Sequence, residues 1–158
     1  MLLKLGVRTT RKRLVAFKVL KPGSNEIIES TKLSRTLHEK FAKTEDPTMI
    51  VYYDPKNNKD SKREVWIPIQ EIVEGVDYKF VEPIRAGFLV MTGTDHTIEY
   101  YYDVLFKHLE ERGLKPNGKI FSIEADYQPD QFDMSYGDFV DEDAQEEWST
   151  EILIPVEE

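Results

Sequence analysis

Arg63-Glu64-Val65-Trp66-Ile67-Pro68-Ile69 and Thr150-Glu151-Ile152-Leu153-Ile154-Pro155-Val156 are near-copies of one another. Each is a strand-like alternation that places a carboxylate among apolar residues, and an ionised carboxylate buried without a partner is costly. Glu151 is therefore the first candidate for a functional residue, with Glu64 as its internal counterpart.

The same order of elements surrounds both copies. Before the first, Leu14 to Leu20 reads as a short apolar strand stopped by Lys21-Pro22-Gly23, after an N-terminal strand over residues 3–8. Ser24 or Asn25 caps a helix from Glu26 to about Lys43, whose apolar positions Ile27, Ile28, Leu33, Leu37 and Phe41 follow a helical period, and Asp46-Pro47 ends it. Met49 to Tyr53 is the next strand, and an exposed turn over residues 54–60 folds the Arg63 run back as a hairpin. Before the second copy come a strand from Ile84 to Met91 and a helix from about Thr97 to Arg112 striped by Ile98, Tyr101, Tyr102, Leu105 and Leu109, with Gly113 as its C-cap. Pro116-Asn117-Gly118 then turns into a strand over 119–127, an acidic stretch runs from Gln128 to Glu147, and the last strand covers 148–156. Phe17 corresponds to Phe88, Val19 to Val90, and Tyr53-Asp54-Pro55 to Tyr127-Gln128-Pro129. The expected fold is α+β: two duplicated β-α-β-β half-modules, about 1–75 and 76–158, related by a pseudo-twofold axis. A curved antiparallel sheet is covered by two main helices, with a pocket between the halves.

The 158 residues suit one domain, and 40% hydrophobic with 32% charged side chains describes an ordinary globular chain. With 30 acidic against 21 basic residues the net charge is -9, which repels phosphate backbones and argues against direct nucleic-acid binding. The basic cluster Arg8, Arg11, Lys12 and Arg13 is read as the solvated face of a strand. The absence of cysteine excludes disulfides and thiolate chemistry. No signal peptide or membrane-length apolar run is present, so the expected location is cytoplasmic. His38, His96 and His108 show no metal-ligand spacing, and neither a metal nor a cofactor is expected.

The helix-then-strand order after Val90, the strand from Gly118 to Tyr127 ending in an aromatic, and the closing Glu-apolar-Pro strand resemble the GyrI-like domain. This is the small-molecule (effector) binding module of bacterial AraC- and MerR-type transcription regulators, also found free-standing. The resemblance implies a pocket on the pseudo-twofold axis for lipophilic, often cationic, aromatic compounds, with a buried glutamate near the C-terminus as counter-charge; Glu151 would carry that role. No helix-turn-helix precedes the module here, and the acidic insert around residues 138–143 is longer than a minimal hairpin, lying over the pocket or facing a partner.

A cationic aromatic ligand calls for a desolvated carboxylate and for Tyr and Trp faces. Glu151 shares a strand face with Leu153 and Pro155, opposite Ile152 and Ile154, so one face packs on helices and the other is left to line a cleft or to lie at a solvated sheet edge. Tyr53, Tyr127, Trp66 and Trp148 are candidate walls or core residues. Tyr100, Tyr101 and Tyr102 cannot share one helix face, so at least one looks outward, and Tyr101 joins the candidate ligand residues. Glu64, beside Arg63, has a solvated salt bridge as its alternative. The expected function is binding of a small molecule by a free-standing effector-binding protein. The alternatives are an acidic adaptor, inhibitor or chaperone for a protein partner, and a small hydrolase in which Glu151 works with Trp66 or Tyr127.

Overall fold

The computed structural model describes residues 1–45, 47–55, 61–93, 95–127 and 149–158, and the backbone of 138–139. The elements in chain order are β1 (Leu2–Thr9), β2 (Arg13–Leu20), α1 (Glu26–Glu39), β3 (Thr48–Tyr52), β4 (Arg63–Pro68), β5 (Tyr78–Val81), β6 (Arg85–Thr92), α2 (Ile98–Glu111), β7 (Ser122–Tyr127), β8 (Asp138–Phe139) and β9 (Ser149–Pro155). The strands form one antiparallel sheet in the order β5-β2-β4-β3-β7-β9-β6-β1-β8.

That order is a duplication read from its centre, β2-β4-β3 on one side and β7-β9-β6 on the other. Glu64 faces Val19 on β2 and Val51 on β3, and Glu151 faces Val90 on β6 and Ala125 on β7. Phe17 opposes Trp66 as Phe88 opposes Leu153. The correspondences legible in the sequence are thus the ones the strand register imposes. If Tyr53 matches Tyr127, then Ile50 matches Glu124. These two residues are direct partners across β3 and β7, so the pseudo-twofold axis passes between them.

Two strands depart from the expected halves. The N-terminal strand β1, placed by the sequence in the first half-module, pairs with β6 of the second. Residues 78–81, which the sequence reading left without an element, form β5 and pair with β2 of the first half. The reason is edge availability: β4 and β5 take both edges of β2, and β6 offers the edge that β1 needs. The consequence is geometric. In the sheet order β1 and β2 lie six strand spacings apart, about 29 Å if the sheet were flat, yet only residues 10–12 join them. Four residue steps reach at most about 14 Å. The link from β5 to β6, residues 82–84, imposes the same limit, so the sheet must curl until its two ends meet. The two links are bonded to each other where they cross: Thr10 N–H donates to the Ile84 carbonyl at 2.8 Å, and Ile84 N–H donates to the Thr10 hydroxyl at 2.8 Å.

The helices cover one face. Asn25 caps α1 by accepting from Ile28 N–H at 3.1 Å, and Leu33 and Leu37 pack on Ala16, Leu20, Val65, Ile67 and Ile69. Thr97 caps α2, whose Tyr101, Tyr102, Leu105 and Leu109 pack on Leu89, Met91, Ile152 and Ile154. Tyr100 is the tyrosine of that run that looks outward. Both helices close in the same way. At the end of α2, Gly113 has φ +69° and Leu114 N–H returns to the Leu109 carbonyl; at the end of α1, Phe41 has φ +57° and Ala42 N–H returns to the Leu37 carbonyl. α1 therefore ends at Glu39, short of the expected Lys43, through its own reversal and not through Asp46-Pro47. Inside the curl, residues of both halves make one further cluster that includes Val15, Trp66, Phe88, Val90, Ile123 and Leu153.

Candidate functional site

The curl encloses a cleft that straddles the pseudo-twofold axis. Val15, Met49, Trp66 and Val81 line it from the first half, and Ile123, Ala125, Tyr127 and Leu153 line it from the second. Pro47, Ile84, Thr10 and three arginines, Arg8, Arg11 and Arg13, complete it. The walls are repeat equivalents: Met49 stands to Ile123 as Trp66 stands to Leu153, so the duplication breaks its symmetry by putting an indole on one side only. The cavity between the walls is small, about 30 Å³. The cleft is a narrow slot, far smaller than the roughly 300 Å³ or more that a drug-sized ligand needs.

Glu151 lies behind this wall and is fully buried. Its carboxylate accepts two bonds from Arg8, Nη2 to Oε1 at 2.7 Å and Nε to Oε2 at 3.1 Å. The Tyr127 hydroxyl donates to the same Oε1 at 3.2 Å. Burial raises the Tyr127 pKa and the Glu151 charge raises it further, against the opposing pull of Arg8 and Arg13, so the phenol stays protonated and keeps donating.

Glu64 occupies the equivalent place in the first half and is almost as buried. Trp66 Nε1 donates to its Oε1 at 2.9 Å, Lys79 also bonds Oε1, and Lys62 Nζ lies 3.5 Å from Oε2. The Lys79 ammonium sits 4.6 Å from the Phe17 ring centre and 4.9 Å from that of Trp66, inside cation-π range. Lys62 lies 4.5 Å from the Tyr53 ring centre. Burial alone would raise the Glu64 pKa, but the hydrogen bonds from Lys79 and Trp66 outweigh it and the net shift is downward. Arg63 is not its partner. It points to the helix face, bonding Glu26 at 2.8 Å and the carbonyls of Ser24 and Lys21, because neighbours in a strand face opposite ways.

The two carboxylates are therefore neutralised by one repeated device. Lys79 on β5 opposes Val15, Arg8 on β1 opposes Ala86, and Val15 and Ala86 are matching positions in β2 and β6. Each flanking strand delivers a basic side chain onto the glutamate of the half it borders. The solvated-face reading of Arg8, Arg11, Lys12 and Arg13 is corrected for Arg8 and Arg13, while Arg11 and Lys12 are exposed. Lys12 is exposed and pairs with Glu82 at 3.5 Å, whereas Arg8 reaches the buried carboxylate and Arg11 and Arg13 line the cleft. Curling the sheet turns the end of β1 and the start of β2 inward.

Of the residues singled out from the sequence, Trp66 and Tyr127 face the cleft, Glu151 lies beneath it, and Tyr53 and Glu64 lie beside one another at its flank. Tyr101 is on the other side of the sheet: it packs in the α2 core and donates to Asp95 at 2.7 Å, because its helical stripe is shared with Leu105 and Leu109. It is withdrawn as a ligand residue. Trp148 and, apart from the backbone of Asp138–Phe139 in β8, the acidic insert lie outside the described residues. The sequence reading missed Arg8, Lys79 and Lys62 as carboxylate partners. A period-two pattern would have put Arg8 on the face of Lys4 and Gly6, but nothing local tells which glutamate, 143 positions away, waits there.

Against solved structures, the chain superposes on the C-terminal domain of EcmrR with a TM-score of 0.71 and 16% identity, covering 100% of this chain and 99% of that one. A hydrolase from Listeria innocua matches with a TM-score of 0.59 and 11% identity, over 98% of this chain and 92% of that one. A protein solved with tetraphenylphosphonium bound matches with a TM-score of 0.51 and 9% identity, over 98% and 94%. No protein-family model and no curated protein sequence matches the chain. At these identities the likeness is one of fold, and it is the α+β architecture that the resemblance to GyrI-like domains implied. No helix among the described residues is long and apolar enough to cross a membrane.

Proposed function

We propose that this chain binds a lipophilic small molecule in the cleft between its two repeats, with the Trp66 indole as one wall and the Tyr127 ring as the other. The observation that carries this reading is the slot itself. It lies on the axis of a duplicated sheet, is lined mainly by apolar side chains, and has one large aromatic from each half and long flexible arginines at its mouth. The solved protein of the same fold with tetraphenylphosphonium bound supports it. The sequence reading assigned Glu151 to meet a cationic ligand directly; here its part is to hold Arg8 and Tyr127 in position at the back of the cleft.

The test is titration of the protein with neutral two- and three-ring aromatic compounds, followed by melting temperature and by tryptophan fluorescence. Ligand that prefers the folded state raises the melting temperature. Trp66→Phe keeps an aromatic ring while shortening the wall, and it should weaken binding several-fold with the protein still folded. Equal affinity in wild type and Trp66→Phe would remove the cleft from the account.

A further inference from the structure

From the charges around the slot we infer that the ligand it selects is a lipophilic anion, an apolar body carrying a carboxylate or a comparable acidic group, held at its charged end by Arg11 and Arg13. The inference rests on the cleft being the binding site and goes on to assign the ligand's charge.

Both carboxylates near the cleft are already satisfied from within. Glu151 has the Arg8 guanidinium on both its oxygens, and Glu64 has Lys79 and Lys62. A cation arriving at either glutamate must first displace a guanidinium or an ammonium that is part of the fold, and Lys79 already fills the cation-π seat formed by Phe17 and Trp66. With those pairs closed, the charge left over at the slot is positive. Arg11 and Arg13 line it, and among the described residues neither has an acidic partner. This excess of positive charge is local, in a chain of net charge -9.

The backbone that carries these arginines is anchored, and Arg11 itself is exposed at the mouth. Arg11 belongs to the link between β1 and β2, which is anchored next to it by the reciprocal Thr10–Ile84 hydrogen bonds, and Arg13 opens β2 opposite Val81. A carboxylate at the mouth meets one or two planar donor forks suited to bidentate recognition. The apolar end of the same molecule lies among Met49, Trp66, Ile123 and Leu153. The partial desolvation of a narrow slot strengthens such pairing relative to open water.

Three near-isosteric probes test the assignment: biphenyl-4-carboxylate, its neutral methyl ester, and the biphenyl-4-yl-methyl trimethylammonium ion, titrated by calorimetry into the full chain. The carboxylate is expected to bind about tenfold or more tightly than the ester, the cation weakest, and the carboxylate advantage should shrink as salt rises to about 0.5 M. The variant Arg11→Gln/Arg13→Gln should lose about tenfold in carboxylate affinity while its affinity for the ester stays within about twofold, which also shows that the variant is folded. Tightest binding by the cation, or an unchanged carboxylate affinity in the double variant, overturns the charge assignment and leaves the cleft standing where the ester still binds and Trp66→Phe weakens it. No binding by any of the three overturns the cleft reading and the charge assignment together.

Discussion

Replacing Arg8 by methionine removes the guanidinium and keeps a similar apolar stem. Glu151 is 0% exposed, so the variant takes the guanidinium from a buried carboxylate that keeps the Tyr127 hydroxyl among its donors. Two charge-assisted bonds at 2.7 and 3.1 Å are lost. Each is worth roughly 1.5–3 kcal/mol, and deleting one partner of a buried ion pair costs about 3–5 kcal/mol. Because the Arg8 side chain is 16% exposed, water replaces part of what is lost, and the lower end applies: about 3 kcal/mol. For a chain of this size that corresponds to a fall of roughly 6–12 °C in Tm. The assay is urea unfolding followed by circular dichroism at pH 7, on Arg8→Met, Glu151→Gln and the double variant. The double variant should recover about 2 kcal/mol relative to the sum of the singles, since an amide without its guanidinium leaves no buried charge. An Arg8→Met cost below about 1 kcal/mol, or strict additivity in the double variant, would refute the argument that the pair holds β1 to the second half.

Other outcomes follow from single sites. Gly87→Ala should destabilise by about 1–3 kcal/mol, because a Cβ there would stand 2.4 Å from Leu109 Cδ2 and 3.1 Å from Cγ and push α2 off the sheet; denaturant unfolding measures it, and a neutral result would mean that α2 rides loosely. Phe41→Gly should stabilise by about 0.5–1 kcal/mol, since Phe41 is 92% exposed at φ +57° where its counterpart at the end of α2 is Gly113; a loss of stability would show that the ring packs in solution. Glu64 has a folded pKa below its ordinary 4.5, so its contribution is present above that value and is lost as pH falls through the lower, folded one. Glu64→Gln should therefore flatten the acid limb of the stability profile below about pH 4.5, and identical slopes in wild type and variant would count against the Lys79 and Trp66 bonds.

What the sequence determined here is what repeats locally. Period-two alternation around Glu64 and Glu151, the helical stripes through Leu33–Leu37 and Leu105–Leu109, and the caps at Asn25 and Gly113 depend on neighbours a few positions away, and all are present in the structure. Duplication made the strand register legible, because one register had to serve both copies: Val19 and Val90 face the two glutamates, as their matched positions required. The face of Glu151 was likewise readable from Leu153 and Pro155. Tyr101 was misassigned because a tyrosine on a helical stripe carries the same pattern whether it lines a cleft or fills a core.

What only the tertiary structure decided is which distant elements share an edge. β5 is four residues long with no strong alternation, and β1 could have formed a hairpin with β2 on local grounds, since three residues join them. Both were settled by competition for the free edges of β2 and β6, and edge pairing is a property of the assembled sheet. From that choice came the curl, and from the curl the inward turn of Arg8 and Arg13. The basic cluster reads as surface in one dimension because charge in a sequence has sign but no direction; it takes direction only when two three-residue links force the ends of a nine-stranded sheet together.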